Sequence, residues 1–132
     1  MLQRDESQTS LFKLQSENVD ELSSEVSQLS SKIQQCKQAN KKVSLMISGA
    51  TFSFIPSLNE QTTKVFLSDV LMAADAVILF RSSPKQKADT VNMIKKFFGG
   101  RKITMSIGDG FNDVNMIQEA HVGIGIRGAE SA

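Results

Sequence analysis

Four short, nearly continuous apolar runs govern what this chain can become: "VSLMI" from Val43, "AVILF" from Ala76, "ITMSI" from Ile103 and "VGIGI" from Val122. Runs of this length and texture suit strands buried in a parallel sheet. Helical patterns lie between them. Val19, Leu22, Val26, Leu29, Ile33 and Cys36 recur in alternating steps of three and four, which places them on one helix face. The spacing predicts an amphipathic helix over about Asn18 to Ala39. A coiled coil needs about 3–4 heptads, more than this stripe supplies, so packing against a sheet is the first reading. An exposed stripe docking a partner helix is the alternative.

The segment "NEQTTKVFLSDVLMAA" places Val65, Phe66, Val70 and Ala73 as the apolar residues of a second helix. "TFSFI" extends the sheet or forms a loop ended by Pro56. In "SSPKQKADTVNMIKKFFGG", Ser83 is a good N-cap, Pro84 a good first residue and Gln86 the reciprocal cap, while Gly99 and Gly100 stop the helix. "FNDVNMIQEA" reads as a last helix with Val114, Ile117 and Ala120 on one face. The resulting order, α-β-α-β-α-β-α-β, predicts an α/β fold: a parallel sheet with helices on both faces, preceded by the amphipathic helix. Residues 1–17 show no clear period and read as a polar N-terminal segment; 18–132 form the folded body.

Composition narrows the class. A chain of 132 residues suits one domain with one core. Its net charge of +1 gives no strong field for nucleic acid or an anionic membrane. A single cysteine, Cys36, excludes an internal disulfide and fits a reducing compartment. "MLQRDESQTS" lacks an apolar signal core, and no run approaches the ~20 residues of a membrane helix, so a soluble chain is expected. Met46, Met72, Met93, Met105 and Met116 read as core filler. His121 reads as packed or exposed rather than as a metal ligand.

Ligands of open parallel sheets bind beyond the carboxyl ends of the strands. Two such ends carry chemistry. "AVILF" runs into Arg81 and a helix with Lys87 on its first turn. "ITMSI" runs into Gly108, Asp109, Gly110 and a helix opened by Asn112 and Asp113. If the two strands are neighbours, all five polar residues converge. Two cations beside two carboxylates and an amide suit a phosphate with magnesium, which takes one or two carboxylates plus waters and phosphate oxygens. Glycines at 108 and 110 would supply the backbone angles that aim Asp109. The plain reading stays open beside this one: a common turn, a carboxylate complementing a helix dipole, a strand-end arginine and a solvated lysine.

"RSSPKQKADTVNMIKK" followed by "IGDGFNDVNMIQEAHVGIGIRGAE" resembles the phosphorylation domain of P-type ATPases, most closely the type IV class, the phospholipid flippases. That domain is of the haloacid dehalogenase type, with a Rossmann-like sheet. The strong likeness spans Ala76 to Glu130, and a weaker one reaches back to Val43. The resemblance implies a partial phosphorylation domain that handles magnesium and ATP on the cytoplasmic face of a membrane. Phospholipid would be met only through the membrane domain of the parent protein, an accessory subunit is possible, and nucleic acid is not a partner. It implies a catalytic role for Lys87 at the phosphoryl group and for Asp109 at the metal. It further implies that Asn112 and Asp113 hold the phosphate and metal environment, with Asp113 a second metal residue, and that Arg81 contacts nucleotide.

Several positions depart from the family pattern. Ser48 stands where the family usually has Asp. Phe111 replaces a small residue and would crowd the loop. "GAES" ends the chain where the family continues. The phosphorylated aspartate of Asp-Lys-Thr-Gly-Thr is absent, as is Thr-Gly-Asp. This chain alone is therefore expected to be inactive, with apolar edges exposed where a strand is lacking. A stand-alone magnesium-dependent phosphatase and a noncatalytic interaction protein are the other readings.

Overall fold

The computed structural model describes residues 9–127. Met1–Gln8 and Gly128–Ala132, including the "GAES" stretch, lie outside the described residues. Two compact units divide between Arg81 and Ser82. The predicted parallel strands form, but in two sheets: β1-β2-β3 and β4-β5.

The first unit carries the unforeseen strand β1 (Thr9–Leu14), inside the stretch read as unpatterned, then β2 (Lys42–Ser48) and β3 (Ala76–Phe80). All pairings are parallel, from Thr9↔Lys42 to Leu14↔Ile47 and from Ser44↔Ala76 to Ser48↔Phe80, so the three carboxyl ends share one edge. Along β2 the residues alternate: Val43, Leu45 and Ile47 are buried, while Ser44, Met46 and Ser48 are only half-buried. Helix α1 (Val19–Gln38) starts where Asn18 Oδ1 accepts from Glu21 N at 2.9 Å. It buries Leu22, Val26, Leu29 and Ile33 and packs on β1 and β2. Each such side chain stabilises the fold by about 1.5–3 kcal/mol on burial. The stripe is therefore spent on the core, and the partner-helix reading falls.

"TFSFI" is neither strand nor loop. Ser48 caps a short helix α2 (Gly49–Phe52) by accepting from Thr51 N at 3.1 Å. Phe52 and Ile55 drop into the core, and Pro56 sits in a 3-10 turn over Ile55–Ser57. Helix α3 (Glu60–Val65) passes into a π-helical turn, Phe66–Leu71, whose Phe66 and Val70 are fully buried. Asp75 fastens the start of β3. Its Oδ2 accepts from Val43 N at 2.8 Å and Lys37 Nζ at 3.1 Å, and its own N–H donates to Val43 O at 2.8 Å. The Val43 N–H first, and then Lys37, hold this carboxyl below its ordinary value.

The second unit contains α4 (Pro84–Phe98), β4 (Met105–Gly108), a 3-10 turn (Phe111–Asp113), α5 (Val114–Glu119) and β5 (Val122–Gly125). The capping box forms as expected: Ser83 Oγ accepts from Gln86 N at 3.1 Å, and Gln86 Oε1 accepts from Ser83 N at 3.0 Å. Gly99 ends α4 at φ 54°, a left-handed conformation that favours glycine. Lys95 Nζ joins α4 to α5 by donating to Glu119 O at 2.7 Å. Strand β4 pairs with β5 from Met105↔Val122 to Gly108↔Gly125. The face carrying Ser106 is turned inward, with Gly123 hard against Ile117. The opposite face, Met105, Ile107, Val122 and Ile124, is 41–60% exposed. Met105 and Met72 are thus surface residues and not core filler, because nothing among the described residues is laid over them. His121 is exposed and staples the entry to β5: its Nδ1 accepts from Thr104 N at 3.0 Å.

Candidate functional site

Asp113 is the pivot of the second unit. It ends the 3-10 turn that follows β4 and is 8% exposed. A buried carboxylate needs partners for both oxygens, and it has them. Lys87 Nζ, brought in on the first turn of α4, meets Oδ1 at 2.8 Å. Asp109 N and Gly110 N point at Oδ2 from 3.3 and 3.4 Å. The Lys87 ammonium is the main cause that holds the Asp113 carboxyl below its ordinary value of 3.8. Desolvation opposes it, and the two N–H groups assist it. Asp113 therefore fastens the loop to α4.

The glycines serve a purpose different from the one expected. Gly110 has φ −123° and ψ 167°, extended backbone that any residue adopts. Gly108 is needed for space, since a Cβ there would collide with the Asp113 side chain. The loop so held presents Asp109 and Asn112 to solvent, and neither side chain has a hydrogen bond or ion pair among the described residues. Phe111 is 76% exposed, so its ring stands outside the loop instead of crowding it.

Four of the five expected residues thus lie in one unit, with Lys87 and Asp113 in direct contact and Asp109 and Asn112 on the loop they secure. Arg81 belongs to the other unit. Its convergence with the rest required β3 and β4 to be neighbours in one sheet, and they lie in separate sheets. Arg81 lines an open cleft at the carboxyl edge of β1-β2-β3, with Lys13, Ser48 and Thr51. Lys13 went unread because β1 itself did; the alternation of Phe12 and Leu14 was its only signal.

No cluster of three or more His, Cys, Asp or Glu able to hold a metal occurs among the described residues. An all-protein metal cage is therefore not what the loop offers. One carboxylate without a partner among the described residues, Asp109, on a loop held in place by a second, Asp113, fits the sparse donor set of magnesium, which draws its remaining ligands from water and phosphate. No helix among the described residues is long and apolar enough to cross a membrane.

Over 95 residues the chain is 42% identical to phospholipid-transporting ATPase IG of Homo sapiens, covering 69% of this chain and 8% of that protein. It is 49% identical over 71 residues to phospholipid-transporting ATPase IC of Homo sapiens, covering 54% and 5%. A guanylate cyclase of Toxoplasma gondii is 37% identical over 101 residues, covering 76% and 2%. The chain thus spans 2–8% of the length of these relatives. Residues 3–132 match the family of haloacid dehalogenase-like hydrolases. That match runs through both compact units, from β1 to β5, and the chain belongs to the haloacid dehalogenase-like hydrolase family.

Proposed function

We propose that this chain is the carboxyl-terminal part of the cytoplasmic phosphorylation domain of a phospholipid-transporting P-type ATPase, and that it contributes magnesium and ATP-phosphate ligands to lipid translocation. The observation that carries this reading is the Lys87–Asp113 pair at 2.8 Å, fastening a loop whose Asp109 carboxylate has no partner among the described residues. An ammonium has three donors. One is engaged by Asp113, and the others, without a partner among the described residues, can take phosphoryl oxygens. Asp109 is the direct metal ligand; Asp113 and Asn112 shape the phosphate and metal environment, and Arg81 contacts nucleotide. Magnesium, when bound, neutralises charge on the phosphate oxygens. The 132 residues contain no Asp-Lys-Thr-Gly string, so the aspartate that accepts the phosphoryl group lies outside them. Phospholipid is met through the membrane domain of the parent protein, an accessory subunit would bind elsewhere on that parent, and nucleic acid is not a partner.

The test is a magnesium titration of the chain followed at backbone amides by NMR. Shifts confined to Gly108–Asp113 at millimolar magnesium are expected, and Asp109→Asn should abolish them. Shifts that survive Asp109→Asn, or none at the loop, would overturn the assignment.

A further inference from the structure

The outer edge of β1 is a second surface with the chemistry of recognition. β1 stands at one end of the order β1-β2-β3, so only one of its edges is paired among the described residues. Beyond its ladder with β2, the Thr9–Leu14 backbone makes no hydrogen bond among the described residues. Such an edge presents a row of unpaired N–H and C=O groups, a template for one more strand. Beside it, on the side of the sheet that α1 covers, lies an open groove of about 240 Å³, lined by Phe12, Lys32, Gln35, Cys36, Ala39 and Lys41. β1 supplies Phe12, α1 supplies Lys32, Gln35 and Cys36, and the link to β2 supplies Ala39 and Lys41. The two parts of recognition by strand addition are therefore together: main-chain groups that give affinity and an adjacent pocket that gives specificity.

The groove sets the charge of the partner. No carboxylate lines it, and Lys32 and Lys41 are exposed cations with no ion pair among the described residues. Phe12 and Cys36, both half-buried, give it a small apolar floor. Lys13 lies on the opposite face of β1, its ammonium 5.4 Å from the centre of the Phe80 ring, and adds positive charge along the same edge. A second copy of this chain would bring the same cations to the edge, and like charge opposes the pairing of β1 with itself. An acidic strand meets the opposite situation. Side chains of an added strand alternate between faces, so every second residue would look into the groove. We propose that the free edge of β1, with the Lys32–Lys41 groove beside it, docks an extended acidic peptide of a partner protein. The peptide adds to the sheet as a further strand, with an apolar side chain over Phe12 and carboxylates reaching the two lysines.

The probe is acetyl-Thr-Glu-Thr-Val-Thr-Glu-Thr-amide, which carries its glutamates and its valine on one face when extended. Titrated into the full chain at low salt and read at backbone amides, it should give saturable shifts at Thr9–Leu14 and Lys32–Lys41. Amides of β1 should exchange more slowly with peptide bound. Alkylation of Cys36, the single cysteine of the chain, should slow as the groove fills. Lys32→Gln combined with Lys41→Gln should weaken binding about tenfold, the loss of two exposed charge contacts. Both positions are exposed, so the fold is kept, and the paired Lys→Arg variant should retain binding. Replacing both peptide glutamates by glutamine should cost a similar factor. Proline in place of the valine should abolish binding, since it removes a ladder donor. Equal affinity in the paired Lys→Gln variant or for the glutamine peptide would overturn the inference. So would undiminished binding of the proline peptide, shifts centred away from β1 and the groove, or no saturable shift.

Discussion

The two compact units spend their apolar residues differently. Among the described residues every buried hydrophobic side chain, from Leu14 to Leu71, lies in the first unit. In the second unit the buried residues among those described are Ser106 and Asp113, both polar. The first unit is a three-stranded sheet with a helix layer; the second is a two-stranded ladder with α5 against it, α4 packed on α5, and an open apolar face. Two strands alone are marginal in water. What holds the second unit is local: a capping box, the Lys95 bond to Glu119, and the Lys87–Asp113 clasp. Four of the five residues expected to carry phosphate chemistry, Lys87, Asp109, Asn112 and Asp113, sit in the unit that has no buried apolar side chain among the described residues, and Arg81 sits in the other.

The largest effect should therefore come from the core. Phe66→Ala, at a fully buried position, should cost about 3–5 kcal/mol. Ile107→Ser, at a position 48% exposed, should change stability by no more than about 0.5 kcal/mol and should reduce self-association. Urea unfolding of both variants, with sedimentation of the second, measures this. Equal losses would mean that the two units share one core and would break the contrast.

That contrast also explains what the sequence made legible. Apolar runs announced β2, β3, β4 and β5, and the three-and-four stripe announced α1, because periodicity follows directly from burial. β1 escaped notice because "SLFKL" puts apolar residues on both faces, and Leu11 on the outer one is 61% exposed. The division into two sheets escaped as well, since a parallel run does not name its neighbour. At the site, the residue types and the Ser83 cap were readable, as was the Gly-Asp-Gly turn. The Lys87–Asp113 contact was not: it joins residues 26 apart, and Lys87 looks like any other lysine of α4. Gly108 was assigned the right importance for the wrong reason, because a steric need set by Asp113 has no local signature.

A second comparison separates the two aspartates that anchor the units. Both carboxyls sit below their ordinary value, but the leading cause differs: the Val43 N–H for Asp75 and the Lys87 ammonium for Asp113. Lys87→Met should return the Asp113 pKa most of the way toward 3.8, whereas Lys37→Met should leave Asp75 still depressed. Carboxylate titration by NMR reads both. The stability that Asp113 supplies is present above pH 3.8, where the unfolded chain ionises, and is lost as pH falls through the lower folded value. Loosening of the Asp109–Gly110 loop should therefore begin only in acid below the ordinary carboxylate range, and Lys87→Met should move it to higher pH. That variant should also cost about 1–3 kcal/mol, the penalty for leaving a buried acceptor short of its donor. Unchanged Asp113 titration in Lys87→Met would mean that the two N–H groups suffice.

The smallest effect concerns the caps, and it shows best how the units differ. Asn18 caps α1 and Ser83 caps α4, and replacing either by Ala should cost about 1 kcal/mol. Their consequences diverge because α1 is pinned by four buried side chains while α4 has none. In Asn18→Ala the loss should appear in global unfolding, with α1 amides still exchanging as part of the whole unit. In Ser83→Ala it should appear as fraying of the first turn of α4, which carries Lys87. As that turn opens, the ammonium spends less time on Asp113, so the Asp113 pKa should drift up toward its ordinary value without any substitution at the site. Hydrogen exchange at Gln86–Ala88 and the Asp113 titration should then move together. If α4 frays while Asp113 stays depressed, Lys87 is held by its own ion pair more firmly than by its helix, and the clasp, not the cap, positions the loop.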